Sequence, residues 1–132
     1  MAQESLVKDQ LTEPMLAAGA DLVRRLDKRQ FLVEAAMWFF VAEKNEWAFV
    51  LATPELRLLG PKKLYKKVQS VLSRTNGPID LNTLALVDSK DPLIQLMAAA
   101  ISTGKGISGI RFSRNTINGR FIEDAYIYRL AA

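Results

Sequence analysis

The sequence has 132 residues and contains neither cysteine nor histidine. This composition excludes disulfides, Ser-His-Asp and Cys-His catalytic groups and Cys/His zinc sites within one chain, while an all-carboxylate magnesium or calcium site stays open. We therefore lean towards a protein that is not an enzyme and expect no cofactor. A secretory leader is not recognisable, and apolar runs of about 18 residues do not occur, so we expect a cytoplasmic protein without a membrane partner.

The formal net charge of +4 is unevenly distributed along the chain. Between Leu56 and Ile79 there are six basic residues and no acidic one, whereas the rest of the chain has 12 basic and 14 acidic residues. A local excess of this kind is typical of a surface that attracts a polyanion. The six polyanion-binding candidates are Arg57, Lys62, Lys63, Lys66, Lys67 and Arg74.

Residues 1–12 form a polar lead-in that we expect to be partly disordered, and residues 13–132 form a single domain. Thr12 is a suitable N-cap ahead of Pro14, and an apolar stripe predicts a helix from about Pro14 to Arg29. The last two turns of this helix carry four cations, which complement the helix dipole. These cations are Arg24, Arg25, Lys28 and Arg29.

Residues 34–53 contain two apolar runs that flank the polar segment Glu43–Glu46. Aromatic and β-branched residues dominate both runs, so the segment predicts a β-hairpin at the centre of a sheet. Both faces of these strands are apolar, and such strands are normally covered on both sides. A buried helix over residues 31–42 is the alternative, because short apolar runs are ambiguous.

Pro54 ends the second strand, and Gly60-Pro61 introduces an amphipathic helix from Pro61 to Arg74. Four of the six polyanion-binding candidates, all lysines, lie on its outer side. Lysines clustered along one face attract a polyanion and release its counterions, although a solvated helix face has the same pattern.

The segment Leu81–Asp88 predicts a third strand, and a helix beginning near Pro92 and continuing through Ser102 follows it. Ser89 or Asp91 can cap this helix. Asp88 and Asp91 are also weak candidates for magnesium ligands, but turn formation and capping explain both carboxylates.

Asn118-Gly119 is a strong signal for a two-residue hairpin turn. This turn pairs residue 117 with 120, 112 with 125 and 110 with 127, and it places Arg114 opposite Glu123. Four charged residues interrupt these apolar strands and form a polar cluster candidate that could grip a phosphate or carboxylate. Cross-strand ion pairs or an interface between chains are the favoured explanation of these residues. The four residues are Arg111, Arg114, Glu123 and Asp124.

Several of these segments resemble a family of small bacterial single-domain proteins that has no assigned activity. The resemblance covers about residues 14–130, and it implies a free-standing bacterial domain without supplying catalytic residues. The matching segments are Gly106–Arg114, Ile117–Gly119, Ile122–Arg129, Trp47–Pro54 and Gly60–Tyr65.

The elements together predict an α+β domain with the order α-β-β-α-β-α-β-β, three helices and one mixed or antiparallel sheet of about five strands. A parallel pair of the third and fourth strands is one option. If the helices cover only one face of the sheet, the other apolar face needs a partner, and a homodimer is the favoured explanation.

Three functions are compatible with these features. The first is a non-catalytic binding or accessory module that associates with itself. The second is a nucleic-acid-associated protein that uses the basic helix over residues 61–74. The third is a metal-dependent phosphoryl-transfer enzyme, which requires Asp88, Asp91, Glu123 and Asp124 to converge in space.

Overall fold

The computed structural model describes residues 9–72 and 77–131 and confirms the predicted α+β class. One five-stranded mixed sheet carries helices on both faces. The helices are α1 (Glu13–Lys28), α2 (Glu55–Leu59), α3 (Pro61–Leu72) and α4 (Pro92–Ala98). The strands are β1 (Ala35–Val41), β2 (Glu46–Ala52), β3 (Leu84–Val87), β4 (Ile110–Ile117) and β5 (Arg120–Leu130).

Helix α1 begins where its capping signals predict. The Thr12 hydroxyl accepts a hydrogen bond from the Met15 backbone N–H at 3.3 Å, and the Met15 sulfur accepts one from the Thr12 N–H at 3.5 Å. Both bonds satisfy N–H groups that lack partners in the first turn of a helix. Pro14 lies in the same turn, where its missing N–H costs nothing.

The predicted central hairpin is confirmed, because β1 and β2 pair in antiparallel register from Ala35 opposite Ala52 to Val41 opposite Glu46. A single 3-10 turn over Ala42–Lys44 joins the strands, and Asn45 takes a left-handed conformation with φ 51°. Asparagine tolerates this conformation better than most residues, which suits it to the last position of the turn.

The strand order in the sheet is β3-β2-β1-β5-β4. The one parallel pair is β2 with β3, and α2 and α3 form the crossover between them. A parallel pair of β3 and β4 was one option from the sequence, and it is wrong because these strands lie at opposite edges. Helix α2 was not predicted at all; the Thr53 hydroxyl accepts from the Glu55 N–H at 3.1 Å at its start.

The two faces of the sheet carry separate cores. Helices α1 and α3 cover the first face, where Trp38, Phe49 and Leu51 are buried against Leu26 and Leu64. Only the seven-residue α4 packs on the second face, where its Ile94 and Met97 contact a cluster that includes Met37, Val50 and Ile127. Helices therefore lie on both faces, not on one, but they cover the two faces unequally.

Two side chains of the sheet hold α1 in place by donating to its backbone. The Trp38 indole N–H donates to the Met15 carbonyl at 3.0 Å, and the Tyr128 hydroxyl donates to the Leu16 carbonyl at 2.7 Å. Gly19 lies against the Tyr128 ring, and a Cβ at this position would be 2.5 Å from the Tyr128 hydroxyl oxygen. Burial raises the pKa of the Tyr128 hydroxyl, which therefore stays a donor at physiological pH.

The predicted register of the C-terminal hairpin is confirmed, with Ile117 opposite Arg120, Phe112 opposite Ala125 and Ile110 opposite Ile127. Arg114 interrupts the pairing, because it adopts a left-handed conformation with φ 48°. Beyond this break the tip carries Ile117 and Ile122 into the core of the second face. Strict alternation along β5 would put Ile122 on the same face as Tyr126 and Tyr128, and the structure does not follow it at this point.

Several element bounds differ from the sequence-based ones. Helix α3 is described as far as Leu72, and the end of the predicted helix, including Arg74, lies outside the described residues, as do residues 1–8 of the predicted lead-in. Strand β3 begins at Leu84 and not at Leu81. The Asp80 carboxylate accepts hydrogen bonds from the backbone N–H groups of Asn82 and Thr83, so this segment is a turn. Helix α4 ends at Ala98, four residues before the predicted Ser102.

Candidate binding surfaces

The predicted polar cluster contains one well-formed ion pair. Arg111 Nε and Nη2 donate to the two oxygens of Asp124, both at 2.6 Å. The Asp124 side chain is 1% exposed, whereas half of the Arg111 side chain reaches solvent. The guanidinium also lies 5.9 Å from the centre of the Trp47 ring, within cation–π distance. The hydrogen bonds that Arg111 donates to Asp124 raise the pKa of the guanidinium above its usual value.

The other two members of the cluster form a much weaker pair. Arg114 Nε lies 3.9 Å from Glu123 Oε2, and the Arg114 side chain is 79% exposed. Exposed pairs of this kind contribute at most about 1 kcal/mol to stability. The structure thus brings the four residues together as two cross-strand pairs, of which only Arg111–Asp124 is built into the core.

An incompletely covered apolar strip crosses four strands on the second face of the sheet. Phe112 is opposite Ala125, Ala125 is opposite Phe39, and Phe39 is opposite Ala48. These four residues are called the second-face row below. Phe39, Ala48 and Phe112 stay partly exposed, although they pack against the core cluster of this face. Arg114 lies just after Phe112 on β4, and Glu123 lies just before Ala125 on β5, so this ion pair borders the row.

Two of the six polyanion-binding candidates have carboxylate partners. Arg57 Nε lies 2.6 Å from Asp88 Oδ2, and Lys67 Nζ lies 3.0 Å from Glu55 Oε1. The Lys67 ammonium is also 4.9 Å from the centre of the Phe31 ring. Arg57 therefore links α2 to the segment after β3, and Lys67 links α3 to the start of α2.

The remaining candidates within the described residues lie on the solvent side of α3. Leu64, Val68 and Val71 bury the opposite side of this helix. The three exposed lysines make no ion pair with a carboxylate in the part of the chain that the structure describes. These lysines are Lys62, Lys63 and Lys66.

The weak metal candidates Asp88 and Asp91 have structural roles. Asp91 is the N-cap of α4, and its side chain accepts from the Leu93 N–H at 2.9 Å. Asp88 accepts from the Lys90 N–H at 3.1 Å and pairs with Arg57. Within residues 9–72 and 77–131 there is no group of three or more acidic side chains placed to hold a metal ion.

The structure does not bring Asp88 and Asp91 together with Glu123 and Asp124. Asp88 follows β3 at one edge of the sheet, and the other two acids lie on β5, three strands away. At about 4.8 Å between neighbouring strands, the lateral separation alone is about 14 Å. Phosphoryl transfer required these carboxylates to converge, and this geometry gives it no support.

Sequence reasoning missed Arg129, a charged side chain that is almost fully buried. Its guanidinium donates to both oxygens of Asp27, at 3.0 and 2.7 Å, and to the carbonyls of Val33 and Gly106, at 3.0 and 3.2 Å. These bonds tie the end of β5 to α1 and to two loops. The only signal in the sequence was a single arginine in an apolar strand near the C-terminus, which did not identify its partner.

Comparisons with family models, with curated proteins and with solved structures give no match. The surfaces described above therefore have to be interpreted from their own chemistry. In the described part of the chain, no helix is both long enough and apolar enough to span a bilayer.

Proposed function

We propose that this protein is a non-catalytic binding module that associates with itself through the second-face row. The observation that carries the proposal is the partial exposure of Phe39, Ala48 and Phe112 in neighbouring positions across the second face. Apolar strips of this kind on otherwise polar surfaces are typical of protein–protein contact sites.

The dimensions of α4 support this proposal. A helix of seven residues is about 10 Å long, whereas a five-stranded sheet is about 19 Å wide. Helix α4 therefore covers only part of the second face, and Phe39, Ala48 and Phe112 of the row stay partly exposed. On the first face, α1 and α3 have 16 and 12 residues and bury the aromatic side chains almost completely.

The charges beside the row favour a second copy of the same chain as the partner. Arg114 and Glu123 have opposite charges, lie side by side, and hold each other only loosely at 3.9 Å. A two-fold axis that passes between Arg114 and Glu123 brings each Arg114 towards the Glu123 of the other copy, so this part of the surface is complementary to itself.

Sedimentation velocity over a concentration series tests the proposal, with wild-type protein compared with Phe112→Glu. We expect a reversible dimer for the wild type. In the variant each dimer acquires two misplaced charges, at a cost of about 1.5 kcal/mol each, which weakens the dimer by about 100-fold.

Leu58→Glu is the matched control, because Leu58 is 81% exposed but lies on α2, away from the row. We expect it to sediment like the wild type. A wild-type protein that stays monomeric at every concentration, or a dimer that Leu58→Glu disrupts and Phe112→Glu does not, contradicts the proposal.

Association with nucleic acid is the second candidate function, and the exposed lysines of α3 favour it. Lys62 and Lys66 are one turn apart, and Lys63 lies beside them on the same solvent side. Because no carboxylate of the described residues pairs with them, all three can contact phosphates at no cost in broken ion pairs.

The triple variant Lys62→Glu/Lys63→Glu/Lys66→Glu tests this candidate in a DNA-binding titration. We expect wild-type affinity to fall steeply between about 50 and 500 mM salt, and the variant to lose binding. The control carries the same change in charge at exposed lysines elsewhere, Lys44, Lys90 and Lys105. Equal affinity at both salt concentrations would exclude phosphate recognition.

The bacterial family and the cytoplasmic location stay predictions.

A further inference from the structure

A second basic surface lies between α1 and the end of α3. The C-terminal half of α1 and the α3 residue Val71 form a cleft with a volume of about 300 Å³. Four cations and one carboxylate line it. The lining residues are Asp21, Arg24, Arg25, Lys28, Arg29 and Val71.

The acidic residues near this cleft are already engaged. Asp21 pairs with Arg25 at 2.7 Å, one turn along the same helix. Each carboxylate oxygen of Asp27 accepts a hydrogen bond from the buried Arg129. Arg24, Lys28 and Arg29 consequently make no ion pair within residues 9–72 and 77–131, which leaves an excess of three positive charges around the cleft.

Complementing the helix dipole explains only part of this excess. The dipole is equivalent to about half a negative charge at the C-terminus, and its effect is confined to the last turn. That turn contains Arg25 and Lys28, and Arg25 is already neutralised by Asp21. Arg24 lies before the last turn, and Arg29 follows the helix as its C-cap. A dipole argument also gives no reason for the cations to surround a cleft.

One cation of α3 reaches the segment that follows α1. Val71 of α3 lines the cleft, and Lys67, one turn earlier on the same helix, lies over Phe31, three residues after the end of α1. Arginine binds phosphate with two parallel N–H groups, and lysine adds a point charge, so the lining is chemically suited to phosphate oxygens.

We propose that this cleft binds phosphates of a nucleic-acid backbone and extends the lysine surface of α3 into one continuous contact. The inference rests on the second candidate function above, and it adds a second helix to the contact. A volume near 300 Å³ is at the lower limit of pockets that enclose small molecules. The cleft therefore suits a phosphodiester segment that passes over the surface better than an enclosed nucleotide.

Fluorescence anisotropy with a labelled duplex of about 20 base pairs tests the proposal, using full-length Arg24→Gln/Arg29→Gln. Each lost phosphate contact lowers the salt slope by about 0.9 and the affinity at about 0.1 M salt by about eightfold, so the double variant binds about 60-fold more weakly. Glutamine leaves the Asp21–Arg25 pair intact. Thermal unfolding of the variant checks that the fold is retained.

Lys105→Gln/Arg120→Gln is the control, since it removes two exposed cations elsewhere on the surface. We expect its salt slope to match that of the wild type. If the Arg24/Arg29 variant binds like the wild type while the triple α3 variant fails, the cleft proposal is wrong and the α3 proposal stands. If wild-type protein binds no duplex, both fall. If it binds only vesicles that contain anionic lipid, the partner is a membrane and the cleft proposal is overturned.

Discussion

Replacement of Gly19 by alanine should destabilise the protein, although helix propensity alone predicts the opposite. Glycine inside a helix costs about 0.5–1 kcal/mol relative to alanine, so Gly19→Ala in an isolated α1 would be stabilising. In the folded protein, however, the new Cβ would lie 2.5 Å from the Tyr128 hydroxyl oxygen and 2.7 Å from two ring carbons.

The Tyr128 ring cannot easily move away from this contact. It is 2% exposed, its hydroxyl donates to the Leu16 carbonyl, and its centre is 5.3 Å from that of Tyr126 and 5.9 Å from that of Phe49. Overpacking of a fixed core costs about 1–3 kcal/mol, and displacing the hydroxyl removes a hydrogen bond worth about 1 kcal/mol. After the propensity gain is subtracted, the net loss is about 1–3 kcal/mol.

Urea unfolding followed by tryptophan fluorescence measures this change, because the Trp38 indole is buried and bonded to α1. Ala17→Gly, at an exposed position of the same helix, calibrates the propensity contribution. In a Tyr128→Leu background the clash disappears, and Gly19→Ala should become stabilising by about 0.5–1 kcal/mol. If Gly19→Ala stabilises the wild-type protein, α1 does not pack on the sheet as described.

Three further changes test individual contacts. Arg129→Lys should lower stability by about 2–4 kcal/mol in chemical unfolding, because one ammonium group cannot reach all the oxygens that the buried guanidinium contacts. Arg111→Met should lower the free energy of unfolding by about 3 kcal/mol, because it leaves the buried Asp124 carboxylate without this arginine. Asp124→Asn should lower it by only about 1–2 kcal/mol, because water can hydrate the half-exposed Arg111. The reverse order of the two losses would contradict this asymmetry. Hydrogen bonds from Thr83 hold the pKa of Asp80 below its usual value, so the native state gains stability from the charged form above about pH 4 and loses that gain as the pH falls. Asp80→Ala should therefore be less stable than wild type at pH 7, and the difference in thermal unfolding should shrink as the pH falls below about 4.

The sequence predicts most of the fold because its strongest signals are local. Thr12 and Pro14 place the start of α1, and Asn118-Gly119 sets the register of β4 and β5 correctly over eight residues. In these cases the interactions that decide the structure lie within a few residues of one another.

The errors concern contacts between distant residues. The parallel pairing of β2 with β3 depends on which edge of the sheet remains available, and short-range patterns do not encode that choice. The left-handed conformation of Arg114 breaks the alternation of faces and has no signal in the residue type. Helix α2 has only five residues, fewer than periodicity can detect.

The candidate sites show the same division. Composition identifies the lysines of α3, and the hairpin places Arg111 and Asp124 in one polar cluster, although its register puts Tyr126 opposite Arg111 and Ser113 opposite Asp124. The partners of Arg57 and Lys67 appear only in the folded chain, because both carboxylates are distant in sequence. Asp88 follows β3, and Glu55 is the first residue of α2. The cleft beside α1 depends on the packing of two helices that are more than 30 residues apart in sequence.

Mixing two charge variants tests self-association through the second-face row most directly. In the Arg114→Glu variant, positions 114 and 123 are both acidic, and in the Glu123→Arg variant they are both arginine. Because like charges then meet between the copies, each variant alone should dimerise about tenfold more weakly than wild type. An equimolar mixture should recover wild-type association by forming mixed dimers, with a mass of two 14.7 kDa chains in light scattering. A mixture that associates no more strongly than the separate variants would show that Arg114 and Glu123 do not meet between copies.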